Sequence, residues 1–253
     1  MNRNYKLVVE YDGTLFSGWQ RQKEEKTIQG ELESVLGHML NQKIHIRASG
    51  RTDAGVHALG QVANFHAHTQ MDPLVLKKGV NSLINPAIVI RECSIAPDDF
   101  HAQYQARSKE YNYYILNRPD PCAIGAAFVW QVKKPLDLVR MNQCCEMITG
   151  VHDFKSFENT GSPKTSSVRE VFLARVNRLE NGEPFKNDVI LFKISASGFL
   201  KNMVRNLMGT LVDVGLGKIT PSQFQTILGA GNRALAGNTA PARGLFLKQV
   251  NYS

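Results

Sequence analysis

Residues 48–58 read ASGRTDAGVHA, and this stretch connects two segments in which apolar and polar residues alternate as they do in β-strands. The segments are KIHIRAS at 43–49 and QVANFHAH at 61–68. An Asp beside glycines between two strands usually forms a turn, which is one interpretation of Asp53. Arg51 favours a second one, because a nearby guanidinium stabilises a charged carboxylate that can act as nucleophile or general base. The pattern alone leaves both interpretations open.

The periodicity around this stretch predicts an N-terminal α+β unit. A helix after the first strand has Thr27 as its N-cap and places its apolar residues on one stripe. A second helix begins at Asp72 and Pro73, since Pro is well suited to the first helical position. The predicted order is strand, helix, strand, strand, helix, strand, over residues 5–11, 28–40, 43–49, 61–68, from 73 onward, and 87–95.

The second half of the chain repeats this order of elements more loosely. Its predicted strands are 110–116, 167–178, 189–197 and 245–250, and its predicted helices are 136–148, closed by Gly150, then 198–214 and 221–228. Two α+β units follow from this order, each an antiparallel sheet with helices packed on it. We expect one unit over residues 1–106 and the other over 107–253, with the boundary near Arg107. The expected fold class is α+β, two units of ferredoxin-like order with a mixed, mainly antiparallel central sheet flanked by helices.

The composition indicates a basic protein. The chain of 253 residues has 30 Lys and Arg against 22 Asp and Glu, a net charge of +8 and a pI near 9.4. Such an excess is typical of proteins that bind nucleic acid, and it also occurs in basic proteins that bind none. No apolar run reaches the length of a membrane-spanning helix, and no secretory signal is apparent. The four cysteines form no CxxC pair or metal-binding spacing, so we expect a cytoplasmic protein without a metal.

Five motifs, in order along the chain, resemble those of the tRNA pseudouridine synthase A family. They are YDGTLFSGWQRQ from Tyr11, TIQGELE from Thr27, GRTDAGVHA from Gly50, SGFLKNMVRNLMGTL from Ser197 and APARGLFL from Ala240. The resemblance extends from about Tyr5 to Val250 and implies the pseudouridine synthase fold.

The resemblance also implies an activity, the isomerisation of uridine to pseudouridine at positions 38, 39 and 40 in the anticodon stem-loop of tRNA. It makes Asp53 the catalytic residue, which attacks the sugar, attacks the base or removes a proton from the ribose; the sequence does not choose among these. The target base has to leave its stack to reach Asp53, so base flipping is implied. The family resemblance further implies a homodimer, and no phosphate-binding loop, dinucleotide fingerprint or metal cluster in the sequence suggests a cofactor.

Three further positions match active-site residues of the family. Tyr111 corresponds to the tyrosine that stacks on the target base, although a buried strand residue is the ordinary interpretation of such a position. Arg205 corresponds to an arginine that pairs with the catalytic aspartate, and Leu245 to a leucine that packs against the uracil. Without the resemblance, Arg205 would be a snorkelling helix residue and Leu245 an ordinary strand leucine. With Arg51, these two are expected to support the active site.

Basic residues along the chain are candidates for RNA contacts, because folded RNA is bound largely through its shape and backbone. Any single member could equally be an ordinary surface charge. The candidates are Arg21, Lys23, Lys77, Lys78, Arg107, Lys109, Lys164 and Arg169.

Two alternatives to a synthase stay open at this level. A basic RNA-binding module would keep the positive charge but would not need Arg51, Asp53 and Arg205 together. A hydrolase would use Asp53 with His57, yet the sequence offers no second well-placed carboxylate or His pair. Two segments, 117–132 and 179–188, match nothing assignable, and the sequence does not indicate which uridine is preferred.

Overall fold

The computed structural model describes residues 2–159, 161, 166–180 and 188–252. In chain order the elements are β1 (Asn2–Tyr11), α1 (Ile28–Leu40), β2 (Arg47–Ala48), β3 (His57–His68), α2 (Pro73–Leu83), β4 (Ile88–Ala96), β5 (Ser108–Leu116), β6 (Trp130–Gln131), α3 (Leu138–Met147), β7 (Gly150–Asp153), β8 (Val168–Arg178), β9 (Val189–Ala196), α4 (Met203–Gly215), α5 (Pro221–Gly229) and β10 (Leu245–Asn251). The α+β class expected from the sequence is confirmed.

The chain divides into two compact units. The first contains the residues up to Arg107 together with the segment from Phe246 onward, and the second is Ser108–Leu245. The sequence placed the boundary near Arg107 but assigned the whole of 107–253 to the second unit. The segment from Phe246 lies with the first unit because β10 pairs in parallel with β3, Phe246 opposite His57 and Leu247 opposite Ala58.

The first unit is a sheet with the strand order β4-β1-β3-β10, and β2 is added to β3. Strand β1 is antiparallel to both β3 and β4, whereas β10 is parallel to β3. The alternating residues Tyr5, Leu7 and Val9 of β1 are buried, as the period of a strand requires. Helix α1 begins where the Thr27 hydroxyl accepts a hydrogen bond from Gly30 N–H, and α2 begins where Asp72 accepts one from the Leu74 N–H.

The second unit is a sheet with the strand order β5-β9-β8-β7, all antiparallel, and β6 pairs in parallel with β5. Helix α4 is apolar on nearly every side and most of its residues are buried, which makes it the central helix of this unit. The segment 117–132, which matched nothing from sequence, contains β6. It also packs Val129 into a small cluster with Leu116 and Val189.

Several predicted ends are shifted by up to four residues, among them that of β3, which begins at His57 and not at Gln61. Three predictions differ from the structure by more. The strand predicted over 43–49 is only two residues long, because the backbone N–H and C=O of Ile46 bond to the Glu33 and Gln29 side chains instead of a strand. Helix α4 begins at Met203 and not at Gly198, since Asn202 has a left-handed conformation that a helix does not accept. Gly150 does not close α3 but begins β7, a strand that the sequence did not predict, as it did not predict β6.

Candidate active site

The loop that carries Asp53 is tied to β3 at its first end. The Ser49 N–H donates to the Val62 carbonyl at 2.8 Å, and the Ser49 hydroxyl bonds to the Gln61 Oε1 at 2.7 Å. The other end of the same Gln61 amide donates to the Gly50 carbonyl at 2.9 Å. Because Ser49 and Gln61 are fully buried, these bonds are shielded from water and fix where the loop leaves the sheet.

Asp53 itself lies in a tight turn, and the turn is made by its backbone. Its carbonyl accepts a hydrogen bond from the Val56 N–H at 3.1 Å, three residues further on. Any residue can supply that carbonyl, so the turn does not account for the carboxylate. The Asp53 side chain is half-buried, whereas Arg51 is exposed. The turn interpretation therefore holds for the backbone of Asp53, and the chemical role of its side chain stays a prediction.

A second loop, between β1 and α1, braces the Asp53 loop through close backbone contact. The Trp19 N–H donates to the Thr52 carbonyl at 3.1 Å, and the Gly55 N–H donates to the Phe16 carbonyl at 3.3 Å. Gly18 has φ +90°, and a Cβ there would lie 2.7 Å from the Thr52 carbonyl oxygen. Glycine is the residue that accepts this backbone conformation and this approach together. The backbone of Gly18 is therefore in direct contact with the backbone of the Asp53 loop at Thr52.

A buried hydrogen bond joins β1 to the same loop. The Tyr11 hydroxyl and the Thr52 Oγ1 are 2.7 Å apart, and both residues are buried. Burial raises the pKa of the Tyr11 hydroxyl, so the phenol stays protonated at neutral pH. The bond therefore works as a neutral anchor next to Asp53.

His57, the residue considered for a hydrolase, is held inside the first unit. Its side chain is 1% exposed, and its ring stacks on Phe246 with 4.6 Å between the ring centroids. Its Nδ1 lies 3.1 Å from the Gly13 N–H and also 3.1 Å from the Asp12 Oδ1. An unprotonated nitrogen accepts from Gly13 and a protonated one donates to Asp12, so the two contacts belong to different protonation states. This environment is that of a structural histidine.

In the second unit, two tyrosines of β5 have different environments. Tyr113 is fully buried, and its hydroxyl donates to the Pro241 carbonyl at 2.7 Å. Burial raises the pKa of Tyr113, so it too stays protonated. Tyr111 retains 8% exposure, and Phe199 meets it edge to face with 5.0 Å between the ring centroids. Of these two, Tyr111 is the one whose ring keeps some access to solvent.

Arg205 lies in the first turn of α4 and is half-buried. Its Nε donates to the Ala240 carbonyl at 2.8 Å, and the Ala240 N–H donates to the Arg205 carbonyl at 3.1 Å. This reciprocal pair fixes one edge of the guanidinium plane. A guanidinium oriented in this way is suited to binding a carboxylate or a phosphate through two parallel hydrogen bonds.

A polar network next to Arg205 holds Ala240 in place. The Asn206 Oδ1 accepts hydrogen bonds from Arg233 at 3.0 Å and from the Thr239 hydroxyl at 2.7 Å, while its Nδ2 donates to the Phe157 carbonyl at 2.8 Å. Asn206 is fully buried, so these bonds are costly to break. The sequence gives one indication of this network, an Asn among the buried apolar residues of α4.

Leu245 is buried, 5% exposed, and directly follows a short 3₁₀ turn over Ala242–Gly244. A Cβ at Gly244 would lie 2.6 Å from the Tyr113 ring, so this turn packs closely on β5. The position of Leu245 is thereby fixed by the second unit.

The basic residues expected to contact RNA have varied environments. Lys23, Lys78 and Arg107 are exposed. Arg21 forms an ion pair with the buried Glu33 at 3.2 Å, and Lys77 donates to the Arg91 carbonyl at 2.7 Å.

The other three candidates lie after the first unit. Lys109 is half-buried in β5. Arg169 is half-buried, donates to the Ser166 and Val168 carbonyls, and has a pKa lowered by burial, although a guanidinium stays charged at neutral pH. Lys164 lies outside the described residues, as do 181–187 of the segment that matched nothing from sequence.

Within the described ranges, no group of three or more His, Cys, Asp or Glu side chains is arranged to hold a metal ion. The same part of the chain contains no helix with the length and hydropathy needed to cross a bilayer. Its four cysteines are free thiols.

The sequence profile described as tRNA pseudouridine synthase matches residues 7–105 and 144–253. The chain belongs to the tRNA pseudouridine synthase family. Asp53, Arg205 and Leu245 all fall within the matched residues, whereas Tyr111 lies in the interval between the two matched ranges. The expected enzyme class, an isomerase, is confirmed by this membership.

Relatives with the same family name cover the whole chain. The tRNA pseudouridine synthase A of Bdellovibrio bacteriovorus is 42% identical over 257 residues, covering 100% of this chain and 96% of the relative. That of Acetivibrio thermocellus is 38% identical over 250 residues, covering 99% of this chain and 100% of the relative. Among solved structures, an H/ACA RNP bound to a substrate RNA containing 2′-deoxyuridine is 14% identical and covers 94% of this chain and 46% of that chain, with a TM-score of 0.36.

Proposed function

We propose that this protein isomerises uridine to pseudouridine at positions 38, 39 and 40 of the anticodon stem-loop of tRNA, with Asp53 as the catalytic residue. The observation that carries the proposal is the rigid, half-buried presentation of Asp53 on a loop braced by backbone at Gly18. Because the chain belongs to the family over most of its length, pseudouridine formation is the reaction in which we expect that carboxylate to act. The family name and the relatives' names support tRNA as the substrate class.

The reaction breaks the bond between ribose C1′ and uracil N1 and forms a bond between C1′ and C5. The proton on C5 is lost and N1 gains one, so atoms balance without a cofactor. Asp53 acts in its ionised form whether it attacks C1′, attacks the base or removes a ribose proton. A rigid loop favours each route, because a carboxylate held in place needs no reorganisation when the bond breaks.

Tyr111 and Arg205 support this chemistry in different ways. The Tyr111 ring stacks on the target uracil, which holds the base once it has left the RNA stack. Arg205 offers a guanidinium already oriented by Ala240, and a guanidinium stabilises a carboxylate in its charged form. Leu245 packs against the base, and Arg51 at the exposed start of the loop contacts the RNA backbone.

The net charge of +8 supports a nucleic-acid substrate. We propose that the exposed Lys23, Lys78 and Arg107 contact phosphates of the RNA. We also propose that the protein works as a cytoplasmic homodimer. Light scattering on the purified protein tests the dimer, and a monomeric mass would reject it. For the phosphate contacts, Arg107→Ala should lower the slope of log affinity against log salt by about 1, whereas Lys133→Ala, at an exposed lysine of the second unit, should leave the slope unchanged.

The deciding experiment measures tritium released from a tRNA transcript labelled at uracil C5, with no cofactor added. Release by the unchanged protein establishes the isomerisation, and Asp53→Asn should reduce the rate by about 10²–10⁴-fold while RNA affinity stays close to that of the unchanged protein. Asp120→Asn is the matched control, because that side chain is an exposed carboxylate of the second unit. A normal rate in Asp53→Asn would remove Asp53 from the chemistry.

Transcripts in which the uridines at positions 38, 39 and 40 are replaced by cytidine, singly and together, test the site of modification. Release should fall in proportion to the uridines removed and vanish when all three are absent. Release that persists from the triple replacement would place the reaction elsewhere in the tRNA. Tight binding with no release from any transcript would favour the RNA-binding module instead.

A further inference from the structure

We propose that Tyr104, stacked on His101, forms a second base-binding position that takes an unpaired nucleobase of the RNA substrate. This inference rests on the proposed function for the identity of the RNA. It concerns residues that the sequence did not single out, and all of them lie in the first unit.

Tyr104 is an aromatic ring presented to solvent. Its side chain is 79% exposed, and one face of its ring stacks on His101 with 4.2 Å between the centroids and 29° between the planes. Single exposed aromatics are common on protein surfaces, but this ring lies on a second ring in a loop that is hydrogen-bonded to β3. The face turned away from His101 is of a size and chemistry that suit a nucleobase, which stacks on aromatic rings irrespective of its sequence.

The His101 ring beneath Tyr104 is fixed and uncharged. Its Nδ1 accepts hydrogen bonds from the Gln103 N–H at 3.1 Å and from the Tyr104 N–H at 3.3 Å. Burial and, secondarily, the positive charge of Arg47 lower the pKa of His101, so the ring is neutral at neutral pH. Tyr104 therefore rests on a ring whose own loop sets its orientation.

The loop that carries both rings is anchored to the sheet of the first unit. Buried Asn64 of β3 donates to the Phe100 carbonyl at 3.2 Å and accepts from the Ala102 N–H at 3.0 Å. Buried Asn4 of β1 donates to the Phe100 carbonyl at 2.9 Å, and the Tyr252 hydroxyl donates to the Ala102 carbonyl at 2.7 Å. Because the loop is ordered before any ligand arrives, binding to it costs little conformational entropy.

The charges around the stack indicate which way a nucleotide would lie. Arg47 is exposed, pairs with Asn64 in the sheet and lies close enough to His101 to influence its pKa. Asp98 and Asp99, at the beginning of the loop, are exposed carboxylates that repel phosphate. We therefore expect the nucleotide stacked on Tyr104 to direct its phosphate toward Arg47 and away from the two carboxylates.

The basic residue nearest in sequence to the Asp53 loop belongs to the same surface. Arg47 precedes Asp53 by six residues, so the Cα atoms of these two residues are at most about 20–22 Å apart. The unpaired bases of a stem-loop are the nucleotides that the proposed position would bind.

The test is the affinity of an anticodon stem-loop RNA for Tyr104→Ala, Tyr104→Phe and Tyr104→Trp. The Ala variant should bind about 5- to 100-fold more weakly, with the Phe and Trp variants close to the unchanged protein, because the ring face and not the hydroxyl binds. Phe172→Ala removes a half-exposed ring from the second unit and serves as the control that keeps its affinity. An unchanged affinity in Tyr104→Ala overturns the proposal, and so does an equal loss in all three variants.

A second readout identifies the base and separates the two proposals. Stem-loops carrying 2-aminopurine at one loop position at a time should show quenched fluorescence at one position with the unchanged protein, and no quenching there with Tyr104→Ala. At saturating RNA, the single-turnover rate of the control Phe172→Ala should equal that of the unchanged protein. If no tritium is released from any tRNA but the quenching depends on Tyr104, the proposed function fails while the base-binding position stands. If release is normal and no loop position is quenched, the base-binding position fails alone.

Discussion

The two units of the molecule hold their candidate residues in different ways. In the first unit, Asp53 sits on an irregular loop that is braced by backbone from a second loop, at Gly18. In the second unit, Tyr111 is part of strand β5 and Arg205 part of helix α4, and the ladder and helix bonds already fix their backbones.

This difference has a consequence for substitution. A residue on a strand or a helix is positioned by its own element, so its neighbours can change without moving it far. A residue on a braced loop depends on distant backbone, so a change that never touches the side chain can displace it. Four sets of variants test this comparison, ordered from the largest expected effect on turnover to the smallest.

The first prediction concerns the brace. Gly18→Ala introduces a Cβ 2.7 Å from the Thr52 carbonyl oxygen at a residue with φ +90°, so the Asp53 loop has to shift. We expect turnover to fall by about 10²-fold, because a displacement of about 1 Å of a reacting group is enough to cost that much. Steady-state tritium release measures it.

The matched control is Gly229→Ala, where an added Cβ has open space in α5. It should leave both turnover and melting temperature within error, or raise the latter slightly. Equal turnover in the two variants would show that the brace does not position Asp53.

The second prediction concerns the orientation of Arg205. Arg205→Ala deprives the Ala240 carbonyl of a charged donor, and we expect the free energy of unfolding to fall by about 1.5–3 kcal/mol together with a loss of turnover. Arg205→Lys keeps the charge but loses the Nε donor and the planar fork, so it should recover only part of the turnover. Full activity in the Lys variant would mean that charge alone matters, and an unchanged melting temperature in the Ala variant would contradict the anchoring role.

The third prediction separates the two tyrosines of β5. Tyr111→Ala should cost about 1–3 kcal/mol of transition-state stabilisation in addition to a loss of stability from its contact with Phe199, whereas Tyr111→Phe keeps the ring, the stability and most of the activity. Tyr113→Ala should instead destabilise the fold by about 3–5 kcal/mol, because that ring is fully buried. Rates at saturating RNA and thermal unfolding distinguish these outcomes, and a purely structural effect at Tyr111 would refute its role in stacking.

The fourth and smallest effect concerns the buried bond between Tyr11 and Thr52. Tyr11→Phe leaves the Thr52 hydroxyl buried without its partner, and should lower the free energy of unfolding by about 1 kcal/mol. The double variant Tyr11→Phe with Thr52→Val removes both polar groups and should recover much of that loss. Denaturant unfolding of the two single variants and the double variant measures these free energies. If the double variant lost as much unfolding free energy as the two single variants together, the bond would not couple the two residues.

The sequence predicted much of the fold because periodicity is local. Strand β1, helix α1 with its Thr27 cap, and α2 with Pro73 at its start follow from spacing and from terminal residues that act within a few positions. The errors arose where a distant group decided the outcome. Residues 43–46 alternate like a strand, but the side chains of α1 take the backbone bonds of Ile46.

The candidate site shows the same limit. Asp53 and Arg205 could be named from their motifs, but the contacts that position them join residues far apart in sequence. Gly18 meets Thr52, and Ala240 meets Arg205, through backbone atoms that leave no periodic trace. The stacked pair of His101 and Tyr104 was missed for a related reason, since a polar stretch gives no indication of which ring will be exposed.

The return of the segment from Phe246 to the first unit bears on how the protein is made. A ribosome synthesises residues 1–107 well before it adds the strand that pairs with β3 and the Tyr252 hydroxyl that holds the 97–105 loop. At about 5–20 residues/s, the intervening 108–245 take about 7–28 s. During that interval one edge of β3 is open and the face of His57 that Phe246 will cover is bare. We therefore expect the nascent first unit to expose a strand edge at which the chain can aggregate or bind a chaperone.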